Sequence, residues 1–219
     1  MMKLAIFDLD GTLANTIADL AGSVEITLKQ KGLPGHSMSE YKQMVGNGYA
    51  RLVERALPAE KRSGGFEASF RAEALAYYNE HLLDNTLAYP GMPETLLALQ
   101  RQGIGLAVVT NKPQEAATAV VRGLFPSIRF LHVYGDRAGF PRKPDPAVAL
   151  SVAREAGIGP DRTLYCGDSN VDVQTGHNAG MKVAGAAWGF RGEAELREAG
   201  ADYIVFKPEE LISIVNNKE

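Results

Sequence analysis

The chain has 219 residues, 26 acidic against 23 basic side chains, a net charge of −3 and one cysteine. That length suits one large domain, or one domain carrying an insertion, and buries enough surface to fold without a structural metal. The near-balanced charge offers no basic face for nucleic acid, a lone thiol fits a reducing compartment, and neither a membrane span nor a secretory signal is expected, so the class is a cytoplasmic globule.

Leu4–Phe7 reads as the first strand, short and apolar throughout. The next stretch breaks any strand rhythm. Thr16–Lys31, Ser39–Val45, Gly48–Leu57 and Phe66–Leu83 all read as helices, and no strand is expected between Thr16 and Leu87. About 70 helical residues are too many for a simple crossover, so the spacing predicts an inserted helical unit over residues 15–88. Its seams fall near Ala14–Asn15 and near Asn85–Gly91, where Tyr89-Pro90-Gly91 marks re-entry.

Beyond the seam, apolar runs alternate with amphipathic ones. Strands are expected at Gly105–Val109, Phe130–Val133, Thr163–Cys166, Val183–Ala187 and Tyr203–Phe206. Helices are expected at Gln114–Leu124, Pro146–Ala156, Val171–Ala179 and Pro208–Val215. Pro113, Pro144 and Pro208 sit at helix starts, and Gly157 and Gly180 sit where helices should end. Strand–helix alternation of this kind predicts a doubly wound parallel α/β sheet over residues 1–14 and 89–219.

Chemistry-bearing residues gather at strand ends. Asp8 and Asp10 follow the first strand, two residues apart, where such sheets bind ligands. Taken alone, Asp-x-Asp-Gly is also a solvated turn. Asp168 and Asp172 follow a second strand end. Four acids facing one another would repel unless a cation sits among them, and a hard, oxygen-liking ion such as Mg²⁺ fits. Thr110-Asn111-Lys112-Pro113 ends another strand and opens a helix, either as an anion site or as a plain cap. Lys143 precedes a further helix, where an ordinary surface lysine is the alternative. The four histidines, His36, His81, His132 and His177, show no metal spacing. Cys166 and Trp188 read as core residues.

Asp8-Leu9-Asp10-Gly11-Thr12, Thr110, Lys143 and Gly167-Asp168…Asp172 resemble, in order, the four motifs of the haloacid dehalogenase-like hydrolases. The resemblance covers essentially the whole chain. It implies a Rossmann-like core, an inserted helical cap, and a Mg²⁺-dependent phosphatase acting on a small phosphomonoester. Val45-Gly46-Asn47-Gly48…Val53-Glu54-Arg55-Ala56-Leu57 is similar to the cap of phosphoglycolate phosphatases, which implies 2-phosphoglycolate as substrate. So are Tyr89-Pro90-Gly91, Trp188-Gly189 and Ala199-Gly200-Ala201-Asp202-Tyr203-Ile204.

Carried over residue by residue, Asp8 is the expected nucleophile and Asp10 the expected general acid and base. Asp8, the backbone carbonyl of Asp10, Asp168 and Asp172 are the expected metal contacts. Lys143 and Thr110, with Thr12, Asn111 and Lys112, would hold the phosphate. Asn47, Gly48 and Arg51 of the cap would meet a substrate carboxylate. The resemblance leaves a phosphosugar mutase of the β-phosphoglucomutase type as the alternative, and a phosphate-sensing protein as a third reading. Thr12, where such mutases more often carry a branched apolar residue, tilts the balance to hydrolysis. Monomer and homodimer both remain open.

Overall fold

A computed structural model describes residues 1–217. After β1 (Leu4–Phe7) come β2 (Ala14–Asn15), α1 (Ile17–Gln30), α2 (Met38–Met44), α3 (Tyr49–Ala56), α4 (Gly64–Glu80) and β3 (Leu87–Ala88). Then follow α5 (Met92–Arg101), β4 (Gly105–Pro113), α6 (Gln114–Leu124), β5 (His132–Asp136), α7 (Ala147–Glu155), β6 (Thr163–Gly167) and α8 (Asn170–Asn178). The chain ends with β7 (Lys182–Ala186), α9 (Gly192–Glu198), β8 (Tyr203–Val205) and α10 (Glu210–Asn216).

Six parallel strands form one sheet in the order β5-β4-β1-β6-β7-β8. Strand β1 lies between β4 and β6, so the chain winds outward in both directions from it. The carboxyl ends of these three strands therefore open on one crevice. The expected doubly wound sheet is what forms.

The pleat explains the layers. Ala5 and Phe7 face a core built with Met92, Leu96 and Leu99 of α5, Val120 of α6 and Leu211 of α10. Leu4 and Ile6, one residue out of phase, face Val152 of α7, Val173 of α8 and Leu196 of α9. A strand covered on both faces needs apolar side chains at every position, which is why β1 shows no alternation.

Helices α1–α4 share a hydrophobic cluster of their own. Leu20, Val24 and Leu28 of α1 pack there with Leu52 and Val53 of α3 and Phe70, Ala74 and Tyr78 of α4. The spacing by threes and fours turns one stripe of each helix inward. Ala116 and Phe190 join this cluster from outside the insert. Both insert seams are marked by β2 and β3, which pair antiparallel through Ala14↔Ala88 and Asn15↔Leu87. Asp19 of α1 locks this return, accepting bonds from the Asn85 backbone and side-chain amides and from the Thr86 hydroxyl (2.7 Å).

Some sequence-based bounds shift. The strand expected at Phe130–Val133 is found at His132–Asp136, because pairing begins at Ala107↔His132. Phe130 instead packs its ring against Phe125. Helices α5 and α9 and the ribbon β2–β3 carried no expectation. Alpha-helix α5 follows no strand of the main sheet, and two-residue strands have no readable period.

Candidate active site

Asp8 stands one residue beyond β1 and Asp168 one residue beyond β6, the two strands being neighbours. Their backbones approach closely: the Asp8 amide donates to the Cys166 carbonyl at 2.9 Å. Asp172 comes from the first turn of α8, where it closes a capping box with Ser169. The carboxylates of Asp8, Asp168 and Asp172 lie within 4.8 Å of one another, all buried.

Three devices hold this cluster. Asp168 accepts from the Phe190 amide at 2.7 Å, and Thr12 Oγ1 approaches its other oxygen at 3.5 Å. Asp172 accepts from the Ser169 hydroxyl (2.6 Å) and amide (3.1 Å) through one oxygen and from Lys143 (2.7 Å) through the other. Lys143, delivered by the β5–α7 connection, is itself buried and also lies 2.9 Å from Asp8 Oδ1. Gly11 has φ of 85°, and a Cβ there would overlap the Asp168 carboxylate. Gly189 is pressed against Asp168 from the other side. Neither position admits a side chain without moving Asp168.

The electrostatics show what this cluster is suited to hold. Burial pushes the Asp8 carboxyl up to about 6; Lys143 opposes this, while Asp172 and Asp10 add to it. Burial, Asp172 and Asp8 likewise hold Asp168 well above the usual carboxylate range. Asp8 Oδ1 is buried with an ion-pair neighbour but no hydrogen bond. Three buried carboxylates, one with an unsatisfied oxygen, against one lysine form a donor set suited to a hard divalent cation.

The Asp10 carboxylate is not part of that cluster, contrary to the four-acid pocket expected. It turns to Lys112, whose ammonium lies 2.8 Å from Asp10 Oδ1 and also bonds the Tyr78 hydroxyl of α4. Two acids at i and i+2 share a side only on a regular strand, and here a tight turn follows Asp8. The chain after Asp10 closes against Ala14 instead, the Gly11 amide donating to the Ala14 carbonyl and the Leu13 and Ala14 amides donating back to the Leu9 carbonyl.

A small cavity adjoins these groups. Its core wall is Asp8, Asp10, Thr110, Asn111, Lys112 and Pro113, and Leu20, Val45, Gly46, Gly48, Tyr49 and Leu52 of the insert close it. Thr110 and Gly48 both line it. The Asn111 side chain bridges the Gly46 and Lys143 backbones. Thr12 braces Asp168 and does not line the cavity. Asn47 and Arg51 are also absent from the wall: Asn47 Oδ1 accepts from Arg55, and Arg51 pairs with Glu54 on an exposed face. Arg51 lies on the exposed face of α3, opposite the stripe of Tyr49, Leu52 and Val53 that is buried.

Sequence reasoning missed Tyr78, Tyr49 and Arg191. Tyr78 belongs to the apolar series Phe70, Ala74, Tyr78, which signals burial but not its hydroxyl partner. Arg191 donates to the Gln43 side chain and, at 2.8 Å each, to the Gln43 and Val45 carbonyls, fastening α2 to the loop that holds Asp168.

Among the described residues no helix is long and apolar enough to cross a membrane. Residues 5–186 match the model of the haloacid dehalogenase-like hydrolases. The chain is 34% identical to the phosphoglycolate phosphatase of Aquifex aeolicus, over 99% of this chain and 98% of that protein. It is 34% identical to the phosphoglycolate phosphatase of Haemophilus influenzae, over 97% and 98% respectively. A crystal structure of a predicted phosphoglycolate phosphatase from Haemophilus somnus superposes with a TM-score of 0.91 at 33% identity, covering 98% of both chains. These relatives carry phosphatase names, and the mutase alternative is not favoured. With the sheet order, the buried acids and these likenesses in agreement, the chain belongs to the haloacid dehalogenase-like hydrolases.

Proposed function

We propose that this protein is a phosphatase of small phosphomonoesters, with 2-phosphoglycolate the leading candidate, working through an aspartyl phosphate on Asp8. The carrying observation is the buried Asp8–Asp168–Asp172 cluster, with Lys143 joining Asp8 and Asp172, beside a cavity that Asp8 and Asp10 both line. The named activity of the relatives supports the choice of substrate. We take residues 1–14 and 89–219 as the catalytic core and 15–88 as a cap. The chemistry implies a cytoplasmic enzyme with a small-molecule partner and none among nucleic acids or membranes.

Asp8, Asp168 and the Asp10 backbone carbonyl would hold Mg²⁺, with Asp172 alongside. When bound, Mg²⁺ supplies positive charge that lets an anionic carboxylate approach an anionic phosphate. In the first half-reaction an Asp8 oxygen bonds to phosphorus and the phosphorus–ester oxygen bond breaks. The proton on Asp10 passes to the departing oxygen. In the second, water attacks phosphorus, gives its proton to Asp10, and releases Asp8 as carboxylate. Lys143, Thr110 and the Asn111 amide hold the phosphoryl oxygens where charge develops.

The cavity is small and lies where the insert meets the core. We take the cap to lift for substrate entry, since residues of the insert roof the cavity. The β2–β3 ribbon, where the two chain crossings meet, is the natural hinge. Closure by Leu20, Val45 and Leu52 then excludes water from the reacting centre.

The test is a panel of phosphate esters assayed with and without Mg²⁺, in wild type and Asp8→Asn. Release of phosphate that depends on Mg²⁺ and Asp8 supports the assignment, and the best substrate by kcat/KM identifies the ester. Full activity in Asp8→Asn sinks the nucleophile assignment. Hexose 6-phosphate formed from hexose 1-phosphate, without free phosphate, revives the mutase.

A further inference from the structure

The Lys112 ammonium is fully buried, yet it is not aimed at a free anion site. It lies between the Asp10 carboxylate, at 2.8 Å, and the Tyr78 hydroxyl, and it sits 4.8 Å from the centre of the Tyr78 ring. Tyr78 in turn stacks on Tyr49 of α3, ring centres 5.5 Å apart. The Tyr49 hydroxyl meets Ser23 of α1 at 2.9 Å. Three helices of the cap are thus linked in a chain, Ser23 to Tyr49 to Tyr78, that ends on one ammonium, and that ammonium holds one core carboxylate.

The sequence cast Lys112 as a phosphate or substrate ligand. The geometry points to a different role: Lys112 is a positioning residue that ties the general acid/base Asp10 to the closed cap through Tyr78. The inference rests on the phosphatase function proposed above and deepens it. An ammonium has three donors, and two of the directions are taken by Asp10 and Tyr78. A carboxylate on a short side chain past a turn has several rotamers. Pinning it to a buried cation selects one, and a misplaced acid loses proton transfer steeply. Because Tyr78 travels with the cap, Asp10 is fully anchored only when the cap is down. Proton transfer to the leaving group is thereby linked to the exclusion of water.

Leaving-group chemistry tests this. Ethyl phosphate and 2-phosphoglycolate expel alkoxides that need a proton, whereas acetyl phosphate expels acetate, which does not. The quantity to follow is kcat/KM, because it reports the steps up to phosphoryl transfer to Asp8 and not the later attack by water. Lys112→Met should lower kcat/KM about 10²-fold on both alkyl esters. On acetyl phosphate its loss should be at least tenfold smaller. Tyr78→Phe keeps the ring, removes the anchoring hydroxyl, and should shift the same ratio in the same direction by less. In an Asp10→Asn background both substitutions should lose this selectivity, since residues acting as a unit are not additive.

Equal losses on all three substrates would overturn the positioning role. So would a loss confined to 2-phosphoglycolate, which would make Lys112 a ligand of the substrate carboxylate. Undiminished effects in the Asp10→Asn background would overturn it as well. If Lys112→Met does not fold, the Tyr78→Phe ratio decides. Wild type inactive on every ester would instead reject the phosphatase reading, and this inference with it.

Discussion

Replacing Asp8 by asparagine should abolish turnover and, in metal-free protein, stabilise the fold. Burial lifts the Asp8 carboxyl from its ordinary 3.8 to about 6. A group whose folded pKa is raised binds more protons folded than unfolded between those two values. Stability therefore falls as pH rises through that window, and the loss is complete above about pH 6. A rise of about two units at about 1.4 kcal/mol each amounts to about 3 kcal/mol. Asparagine is neutral at every pH and escapes this loss, though Lys143 then keeps Asp172 as its remaining carboxylate partner. For a chain of this length about 3 kcal/mol corresponds to about 6–12 °C in Tm. The assay is thermal unfolding of wild type and Asp8→Asn in EDTA, from pH 4 to pH 8. The difference in Tm should be near zero at pH 4, grow through pH 5–6 in favour of the variant, and level off. Added Mg²⁺ should reverse its sign by stabilising wild type. A pH-independent difference, or a wild type more stable in EDTA at pH 8, would refute the claim that burial, aided by the neighbouring acids, disfavours the ionised Asp8 carboxylate.

Gly11→Ala should destabilise the fold by about 2–4 kcal/mol, from a left-handed backbone and overlap with Asp168, and should weaken Mg²⁺ binding measured by calorimetry. Lys143→Met leaves Asp8 and Asp172 without their shared cation, so kcat should drop about 10²–10³-fold in steady-state assays with Mg²⁺ present. Arg51→Ala should change kcat/KM on 2-phosphoglycolate by no more than about twofold, since its partner is Glu54 on an exposed helix face. A larger loss would mean that Arg51 swings into the site when the cap moves.

Much of the site is legible because its markers are local. Asp8 and Asp168 each follow a short apolar run, and in a parallel sheet the end of such a run is where ligands gather. Asp172 is legible twice over, since Ser169 three residues earlier makes it a helix-capping acid as well as a member of the cluster. Arg51 misled for the same local reason: a cation one turn into a helix looks poised for a ligand whichever way the helix is rolled. The four-acid pocket did not form because a tight turn follows Asp8 and carries the Asp10 carboxylate to Lys112. Tyr78 was invisible, for its burial and its hydroxyl partner lie in different elements 34 residues apart.

By itself the sequence determined the layered α/β sheet, the helical insert and the acids at the strand ends. These follow from periodicity and from proline and glycine punctuation, which act over a few residues. Only the tertiary structure decided which charges meet. Lys143 joins Asp8 and Asp172 from 29 residues before the latter, and Lys112 reaches Asp10 across 102 residues of chain. Pairings at such range depend on the order in which strands assemble and on how the insert rolls onto the sheet. Those are settled by packing the whole core, where side chains far apart in sequence compete for the same buried space.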